Sequence, residues 1–258
     1  MSEYINISDD EIYSPIYRII SFERLVQIFK STQMAFVKPE KWDDPFENII
    51  AKTLIDMGTE LSESFFESGI RNNSHGNCWT KRSLSDAIWR IYSNDKKAVR
   101  IKSTPNIISK NITNGLLVCP NSKLYIGKVE YLNTNQIKAK AKIFAKGVMS
   151  GDKCRAAAES LLFKRKAFSH EEEVRVLIID QHDISRDGVI NINVNPHDLI
   201  QSVVIDSRAP AELVDVYTSY LKNDLNFKGS ISKSTLYDTP KPIKVKLKRK
   251  IKKKIKKK

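Results

Sequence analysis

The segment that most constrains how this chain can fold is Phe168–Ile179, in which charged and branched apolar residues alternate. Apolar side chains occur there at every second position, the spacing of one buried face of a β-strand: Val174, Val176 and Ile178. Glu171, Glu173 and Arg175 alternate with them, and residues two apart on a strand lie roughly 7 Å from each other. We therefore predict a strand that lines up two carboxylates and a guanidinium opposite a buried face.

Three charged side chains on one strand face can serve several purposes. Two carboxylates beside a guanidinium can bind a polyol or stabilise a cation. They can also form an exposed row of ion pairs, each of which contributes under roughly 1 kcal/mol to the free energy of unfolding. The spacing alone leaves both interpretations open.

The length and composition favour one large domain of a cytoplasmic protein. The 258 residues are 41% apolar, and Gly and Pro number only 9 each, which disfavours a low-complexity linker. The chain has no run of about 18 apolar residues, and its polar, acidic N-terminus lacks the features of a signal peptide. Cys78, Cys119 and Cys154 are widely spaced without a CxxC pair, so we expect reduced thiols.

The net charge of +14 is concentrated at one end of the chain. Lys241–Lys258 contains 12 basic and no acidic residues, so the rest of the chain has 32 basic and 30 acidic residues. Thr239–Pro242 is turn-prone, and we predict a domain over residues 1–238 and a disordered Lys-rich tail over 239–258. Such a tail would attract RNA, DNA or a ribonucleoprotein through phosphates, and an anionic membrane surface is the less favoured partner.

The apolar spacing along the chain predicts strands and helices without a regular βαβ order. Strands are predicted at 34–37, 98–102, 115–119, 124–131, 172–179, 189–194 and 201–205. Helices are predicted at 22–30, 60–70, 105–112, 135–147, 152–165 and 210–224, and Ser83 or Ser85 caps a further helix. This mixture predicts an α+β fold of a single domain.

The usual nucleotide-loop and metal-binding patterns do not occur in this sequence. It contains no GxxxxGK[ST], GxGxxG or HExxH pattern and no cysteine–histidine zinc spacing. We predict no metal site, because the histidines are scattered: His75, His170, His182 and His197. A Mg²⁺-dependent phosphodiesterase using Glu47, Glu171 and Glu173 is the weakest alternative, because these carboxylates lack a third closely spaced partner.

Five short motifs occur in the same order as in a bacterial and phage family of unknown function, which the chain resembles over about residues 15–205. The motifs are Tyr17-Arg18, Trp42-Asp-Asp-Pro-Phe-Glu47, Cys78-Trp-Thr80, Trp89-x-x-Tyr92 and Phe168-x-x-Glu-x-Glu-x-Arg175. The family pattern is Tyr-Arg, Asn-Asp-Pro-Phe-Glu, Cys-Phe-Ser, Trp-x-x-Tyr and Trp-x-Tyr-Glu-x-Glu-x-Arg. The chain departs from this pattern at Asp43, Trp79, Thr80, Phe168 and His170.

This family's layout is similar to that of the arginine–serine–glutamate class of ADP-ribosyltransferases. The resemblance implies a split sheet, mixed or antiparallel, with flanking helices, and NAD as the cofactor. It implies that Arg18 holds an NAD phosphate and that Thr80 belongs to the segment shaping the nicotinamide pocket. Glu173 would be the catalytic carboxylate and Glu171 its substrate-orienting neighbour. The supporting residues would be Asp44, Glu47 and Arg175.

The chemistry of nicotinamide–ribose cleavage suits these residue types. A carboxylate such as Glu173 stabilises an oxocarbenium-like transition state if it stays ionised. Arg175 on the same face would favour ionisation, and Glu171 would oppose it. Flat aromatic rings also suit flat heterocycles, and the candidates for stacking on nicotinamide or adenine are Trp79, Trp89 and Tyr92, which are otherwise core residues.

The leading hypothesis is an NAD-dependent ADP-ribosyltransferase-like enzyme that modifies a macromolecular target, in the manner of a defence or toxin protein. The alternative is a non-enzymatic nucleic-acid-binding protein that grips phosphates through its Lys-rich tail. Convergence of Arg18, Thr80 and Glu173 on one cleft would favour the enzyme, and a wide separation would exclude it.

Overall fold

Strands and helices alternate irregularly in the computed structural model, which describes residues 3–42, 44, 73–116, 122–147, 153–180 and 185–244. Its strands are β1 (Glu3–Ile5), β2 (Ile16–Ile20), β3 (Gln33–Val37), β4 (Ser74–Thr80), β5 (Val99–Ser103), β6 (Lys123–Lys128), β7 (Glu130–Leu132), β8 (Phe163–Arg165), β9 (Glu173–Ile179), β10 (Val189–Asn193), β11 (Ser202–Ile205) and β12 (Ser230–Lys233). Its helices are α1 (Asp9–Ile12), α2 (Phe22–Ser31), α3 (Asp86–Tyr92), α4 (Pro105–Gly115), α5 (Thr134–Gly147), α6 (Lys153–Ser160), α7 (Pro196–Leu199) and α8 (Ala211–Ser219). Short 3₁₀ helices form at Pro39–Lys41 and Lys166–Glu171, and a π-helical turn at Tyr220–Asp224 follows α8.

Ten of the described strands form one mixed sheet. The main order is β1-β6-β9-β4-β2-β5-β11-β12, and β3 joins β10 to β4. The β1–β6 and β11–β12 pairs are parallel, whereas the central pairs are antiparallel. Strands β2 and β4 pair only at Tyr17 and Thr80, so the sheet opens between them beyond this pair. The predicted α+β fold with a mixed sheet and flanking helices is confirmed.

Helices cover both faces of the sheet because apolar residues alternate along its central strands. On one face, Val174 and Val176 of β9 belong to a core that includes buried residues of α2, α4 and α8. Helix α2 fits this role because Ser21 caps it and its apolar residues recur every three to four positions: Phe22, Leu25, Ile28 and Phe29. On the other face, Leu177 of β9 packs with residues of α5 and α6, and Trp89 of α3 packs on Ile19 of β2.

Strand β9 begins later than the sequence predicts. Lys166–Glu171 is a 3₁₀ helix, and Glu172 has a left-handed φ of 41° before the strand starts at Glu173. The Thr80 hydroxyl donates a hydrogen bond to the Glu171 carbonyl, and the Lys81 N–H donates to the Glu172 carbonyl at 3.0 Å. These contacts between distant residues hold a turn that the alternating pattern does not show. The prediction that Glu171 shares a strand face with Glu173 is therefore wrong, and β9 is buried on both faces.

Other predicted boundaries also differ from the structure. The helix predicted at 152–165 ends at Ser160, because Leu161, Leu162 and Phe163 are all buried and the chain becomes extended as β8. The strand predicted at 115–119 begins inside α4, and residues 117–119 lie outside the described residues. Ser85, not Ser83, caps α3.

Several predictions concern residues outside the described ranges. These are the helix at 60–70, Cys119, Glu47 and most of the Lys-rich tail, from residue 245 onward. The predicted boundary at residue 239 therefore stays a prediction. Cys78 and Cys154 form no disulfide bond within the described residues. Within the described ranges, every helix is too short or too polar to cross a membrane.

Candidate functional site

A cleft opens in the sheet where β2 and β4 diverge. Tyr17 is paired with Thr80, and Thr80 is paired with Glu173, so these residues form one row across three adjacent strands. Because neighbouring strands lie about 4.8 Å apart, the ends of this row are about 10 Å apart. The cleft has a cavity volume of about 160 Å³, is open to solvent and is lined by Tyr17, Arg18, Ile19, Cys78, Trp79, Thr80, Ile88, Tyr92, Glu171 and Glu173.

The cleft brings together most of the residues that the sequence singles out. Arg18, Thr80 and Glu173 all line it, so they converge on one cleft. Three further candidate residues also line it: Glu171, Trp79 and Tyr92. Trp89 does not line it, because its side chain is only 1% exposed and packs against Ile19, Ile88 and Ala98. Asp44 and Arg175 do not line the cleft either, since Arg175 contacts Glu173 and Asp44 contacts Arg165.

Glu173 is a buried carboxylate held between two cations. Its Oε2 lies 2.9 Å from Nη2 of Arg175 and 3.5 Å from Nζ of Lys164. Burial of Glu173 acts to raise its pKa, but the charge and hydrogen bond of Arg175, the charge of Lys164 and a hydrogen bond with Cys78 outweigh it. The pKa of Glu173 is lowered from 4.5 to about 2, so the carboxylate is ionised at neutral pH.

Arg175 is positioned to act on Glu173 and not on a ligand. Its side chain is 1% exposed, and its Nη1 donates a 2.7 Å hydrogen bond to the Leu161 carbonyl. The guanidinium also lies over the Trp42 ring, 4.3 Å from the ring centroid. These contacts fix the charge of Arg175 under Glu173.

Lys164 contacts both carboxylates of the cleft, and sequence reasoning missed it. Its Nζ lies 2.6 Å from Oε2 of Glu171 as well as 3.5 Å from Glu173, and its side chain is 9% exposed. The ammonium is also 4.7 Å from the centroid of the Phe168 ring. The sequence placed this lysine in the last turn of a helix, where a lysine is usually exposed. In the structure Lys164 belongs to β8, and its ammonium contacts both Glu171 and Glu173, although these two carboxylates do not lie on the same strand.

Asp44 holds Arg165, the residue that follows Lys164 in the chain. The buried Asp44 carboxylate accepts hydrogen bonds from Arg165, at 2.9 Å from Nη2 and 3.3 Å from Nε. The Arg165 guanidinium lies over the Phe168 ring, 5.3 Å from its centroid. Asp44 thereby anchors the end of β8 from which Lys164 extends.

Two side chains of the lining have donor groups that no described residue uses. The half-buried Arg18 guanidinium forms no hydrogen bond or ion pair with the described residues, and desolvation lowers its pKa. The buried Nε1 of Trp79 likewise lacks a described acceptor. Because buried donors without acceptors are unfavourable, both groups suit a ligand that carries acceptor oxygens.

Thr80 and Tyr92 shape opposite edges of the cleft. The Thr80 hydroxyl donates to the Glu171 carbonyl and accepts from the Arg82 N–H at 3.0 Å, which leaves it fixed in place. Tyr92 ends α3 and is 53% exposed at the mouth of the cleft. The Tyr92 ring is available for stacking on a ligand, whereas the Thr80 hydroxyl is occupied by its two hydrogen bonds within the protein.

The described residues contain no group of three or more His, Cys, Asp or Glu side chains placed to hold a metal ion. Glu47, the third carboxylate of the Mg²⁺-dependent alternative, lies outside the described ranges. The two carboxylates of the cleft are instead neutralised by Lys164 and Arg175. The geometry of the described part of the chain therefore gives the phosphodiesterase alternative no support.

One family of sequences matches part of the chain. The model of a "Protein of unknown function (DUF2971)" matches residues 88–176, which include the Trp89-x-x-Tyr92 and Phe168–Arg175 motifs. No curated protein matches the chain.

Solved structures of DarT from Thermus sp. 2.9 are similar to this chain over most of both lengths. The complex with NAD+ has a TM-score of 0.36 at 7% identity, and covers 89% of this chain and 98% of that chain. The complex with ADP-ribosylated ssDNA has a TM-score of 0.38 at 9% identity, with 89% and 96% covered. The complex with carba-NAD+ has a TM-score of 0.37 at 9% identity, with 86% and 96% covered. At these TM-scores the likeness carries no argument about fold or activity.

Proposed function

We propose that the cleft binds NAD and that the chain is an NAD-dependent ADP-ribosyltransferase-like enzyme. The observation that carries the proposal is that two groups line the same cleft: an ionised, buried Glu173, and an Arg18 that has no hydrogen-bond or ion-pair partner among the described residues. A cation for a phosphate and a carboxylate for a developing positive charge are the two groups that this chemistry needs. They occur here across three adjacent strands.

Glu173 has the charge and setting for the reacting end. NAD supplies the ADP-ribosyl group: its nicotinamide–ribose bond breaks with the electron pair leaving on nicotinamide, and the ribose carbon bonds to an acceptor that loses a proton. Positive charge develops on the ribose during this exchange, and Glu173 lies in a low-dielectric setting where a fixed carboxylate stabilises it strongly. Glu171, held beside it by Lys164, is placed to bind a ribose hydroxyl.

Arg18 and Trp79 suit the remaining parts of NAD. The Arg18 guanidinium can bind a pyrophosphate through charge-assisted hydrogen bonds. Nε1 of Trp79, which has no acceptor among the described residues, can donate to an oxygen of the ligand, and the exposed Tyr92 ring can stack on a flat heterocycle at the mouth. The donor set of the cleft therefore fits NAD.

We expect Arg18→Gln to weaken NAD binding. Loss of a charge-assisted hydrogen bond costs about 1.5–3 kcal/mol, which corresponds to a roughly 10- to 150-fold higher KM for NAD. The readouts are nicotinamide release and the shift of the melting temperature with NAD concentration. Arg186→Gln is the matched control, because Arg186 is exposed and does not line the cleft. An unchanged KM in Arg18→Gln would remove the phosphate role of Arg18.

The Lys-rich tail supports a second candidate function, nucleic-acid binding without catalysis. Removal of Lys241–Lys258 separates the two. For the enzyme, we expect the shortened chain to keep releasing nicotinamide and NAD to raise its melting temperature. Two results together would favour nucleic-acid binding over the enzyme. NAD would leave the melting temperature unchanged, and the only activity of the chain would be salt-sensitive binding that disappears with the tail.

A further inference from the structure

A polar row continues from the cleft across the next three strands of the sheet. Strand pairing places four residues side by side in this row: Tyr17, Lys102, Ser202 and Ser230. Paired residues point to the same side of a sheet, and three strand spacings extend the row by about 14 Å from Tyr17. Arg100 precedes Lys102 by two positions on β5 and therefore lies on the same side. We call Arg100, Lys102, Ser202 and Ser230 the basic strip.

The two cations of the basic strip have no carboxylate partner among the described residues. The Arg100 guanidinium stacks on Tyr17, a residue of the cleft, with 4.7 Å between its central carbon and the ring centroid. Nε of Arg100 is buried and has no hydrogen-bond acceptor in the part of the chain that the structure describes. Both side chains are half-buried, and a partly desolvated cation without an anion is unfavourable. The strip therefore favours an anionic ligand next to the cleft.

The start of the C-terminal basic segment lies on this side of the sheet. Leu236 packs against the cluster formed by Trp89 of α3 and Ile19 of β2. The Tyr237 hydroxyl hydrogen-bonds the Asp86 carboxylate of α3 and accepts a 3.2 Å hydrogen bond from Arg90. Asp86 lies about 9 Å along the helix from Tyr92 at the mouth of the cleft. The Lys-rich segment thus begins within a few residues of a point beside the cleft.

We propose that the basic strip binds the phosphodiester backbone of a single-stranded nucleic acid and presents one of its nucleotides to the cleft. Lys102 and Arg100 would contact phosphate oxygens, and the hydroxyls of Ser202 and Ser230 can donate to the same oxygens. This inference rests on the function proposed for the cleft and adds the class of acceptor.

Two features of the site favour a single strand over the other polyanions. Glu173 is 5% exposed at the base of the cleft, so a nucleotide stacked inside a duplex cannot reach it. A flat anionic bilayer could attract the exposed residues that start the tail, but the Arg100 guanidinium is half-buried over the Tyr17 ring, where a narrow, flexible strand reaches it more readily than a flat bilayer does. A single-stranded nucleic acid is narrow and flexible enough to contact both the basic strip and the Lys-rich segment.

The test measures binding of a fluorescein-labelled oligothymidylate of about 20 nucleotides to the full chain by anisotropy, without NAD, over a range of salt. We expect Arg100→Gln/Lys102→Gln to bind about tenfold more weakly at low salt. We also expect the slope of log affinity against log salt to be smaller by about 1.4, because each phosphate contact to a single strand contributes about 0.7. Lys102→Gln alone should change the slope by about half as much, and keeps the test valid if the double variant fails to fold.

The matched control is Lys110→Gln/Lys222→Gln, which removes the same charge from exposed positions on the helical layer of the opposite face. Equal affinity and slope in the strip variant and this control would overturn the proposal. A different result would be that the strip variant loses binding to vesicles containing about one-third phosphatidylserine and keeps its binding to the oligonucleotide. That result would show that the partner of the basic strip is an anionic membrane and not a nucleic acid.

The two proposals fail separately. If the chain releases nicotinamide but the strip variant binds the oligonucleotide like the wild type, the strip proposal fails and the NAD-dependent function stands. If binding depends on the strip but the wild type never releases nicotinamide, the NAD-dependent function fails instead.

Discussion

Glu173→Gln is expected to lower the rate of nicotinamide release by about a thousandfold or more, equivalent to roughly 4 kcal/mol of transition-state stabilisation. Glutamine keeps the size of the side chain but removes the negative charge that faces the ribose. KM for NAD should change much less, since Arg18 and the aromatic lining supply ground-state binding. Nicotinamide release by the purified full chain, with initial rates over a range of NAD concentrations, provides both quantities.

Glu172→Gln is the matched control for this variant. Glu172 precedes Glu173 directly but forms its ion pair with Arg82 on the surface, at 2.7 Å, and does not line the cleft. We expect its nicotinamide release to equal that of the wild type. Circular dichroism and the melting temperature verify that Glu173→Gln is folded. Equal release by wild type and a folded Glu173→Gln would contradict the catalytic assignment.

The alternating pattern of β9 predicted a strand at the correct place because burial of branched side chains on one face is a local signal. It could not predict where the strand begins. The turn at Glu171 and Glu172 is fixed by hydrogen bonds from Thr80 and Lys81, some 90 residues earlier in the chain. Such contacts leave no periodicity in the sequence around them. The two carboxylates still meet, since Lys164 holds Glu171 beside Glu173.

The aromatic candidates show the same limit. Trp89 and Tyr92 lie three apart on α3, and both were candidates for stacking on a heterocycle. In the structure Trp89 is 1% exposed and Tyr92 is 53% exposed. Trp89 packs with Ile19, Ile88 and Ala98, whereas Tyr92, the last residue of α3, remains at the cleft, and such contacts with distant residues leave no mark in the spacing. Arg18 was assigned through the family resemblance, whose Tyr-Arg motif it matches, and an arginine between apolar neighbours on a strand does need an anion.

We expect Lys164→Met to move the acid limb of the pH–rate profile to higher pH by about one unit or more. Lys164 lowers the pKa of Glu173 through its charge, and its removal leaves two buried carboxylates with Arg175 as the nearest cation. A larger fraction of Glu173 is then protonated in mildly acidic solution, where the wild type is ionised. The measurement is kcat/KM for nicotinamide release from about pH 2 to pH 8, with circular dichroism to verify that the chain is folded at each pH.

The same substitution should change how stability depends on pH. In the wild type the pKa of Glu173 is lowered on folding from 4.5 to about 2, so its contribution to the free energy of unfolding is present above 4.5 and is lost as pH falls towards 2. With Lys164→Met the folded-state pKa is higher, so this contribution is smaller and is lost at higher pH. Acid unfolding followed by circular dichroism should therefore begin at a higher pH.

Lys164→Arg and Lys166→Met separate the electrostatic role of Lys164 from simple packing. Arginine keeps the charge between Glu171 and Glu173, and we expect it to restore the acid limb to near its wild-type position even if the larger side chain lowers stability. Lys166 is exposed two residues further on, so its replacement tests loss of a lysine charge outside the site. A Lys164→Met enzyme that is less stable but has the wild-type pH profile would show that Lys164 only packs. A shifted limb that Lys164→Arg reverses would show that this buried ammonium keeps Glu173 ionised for the reaction.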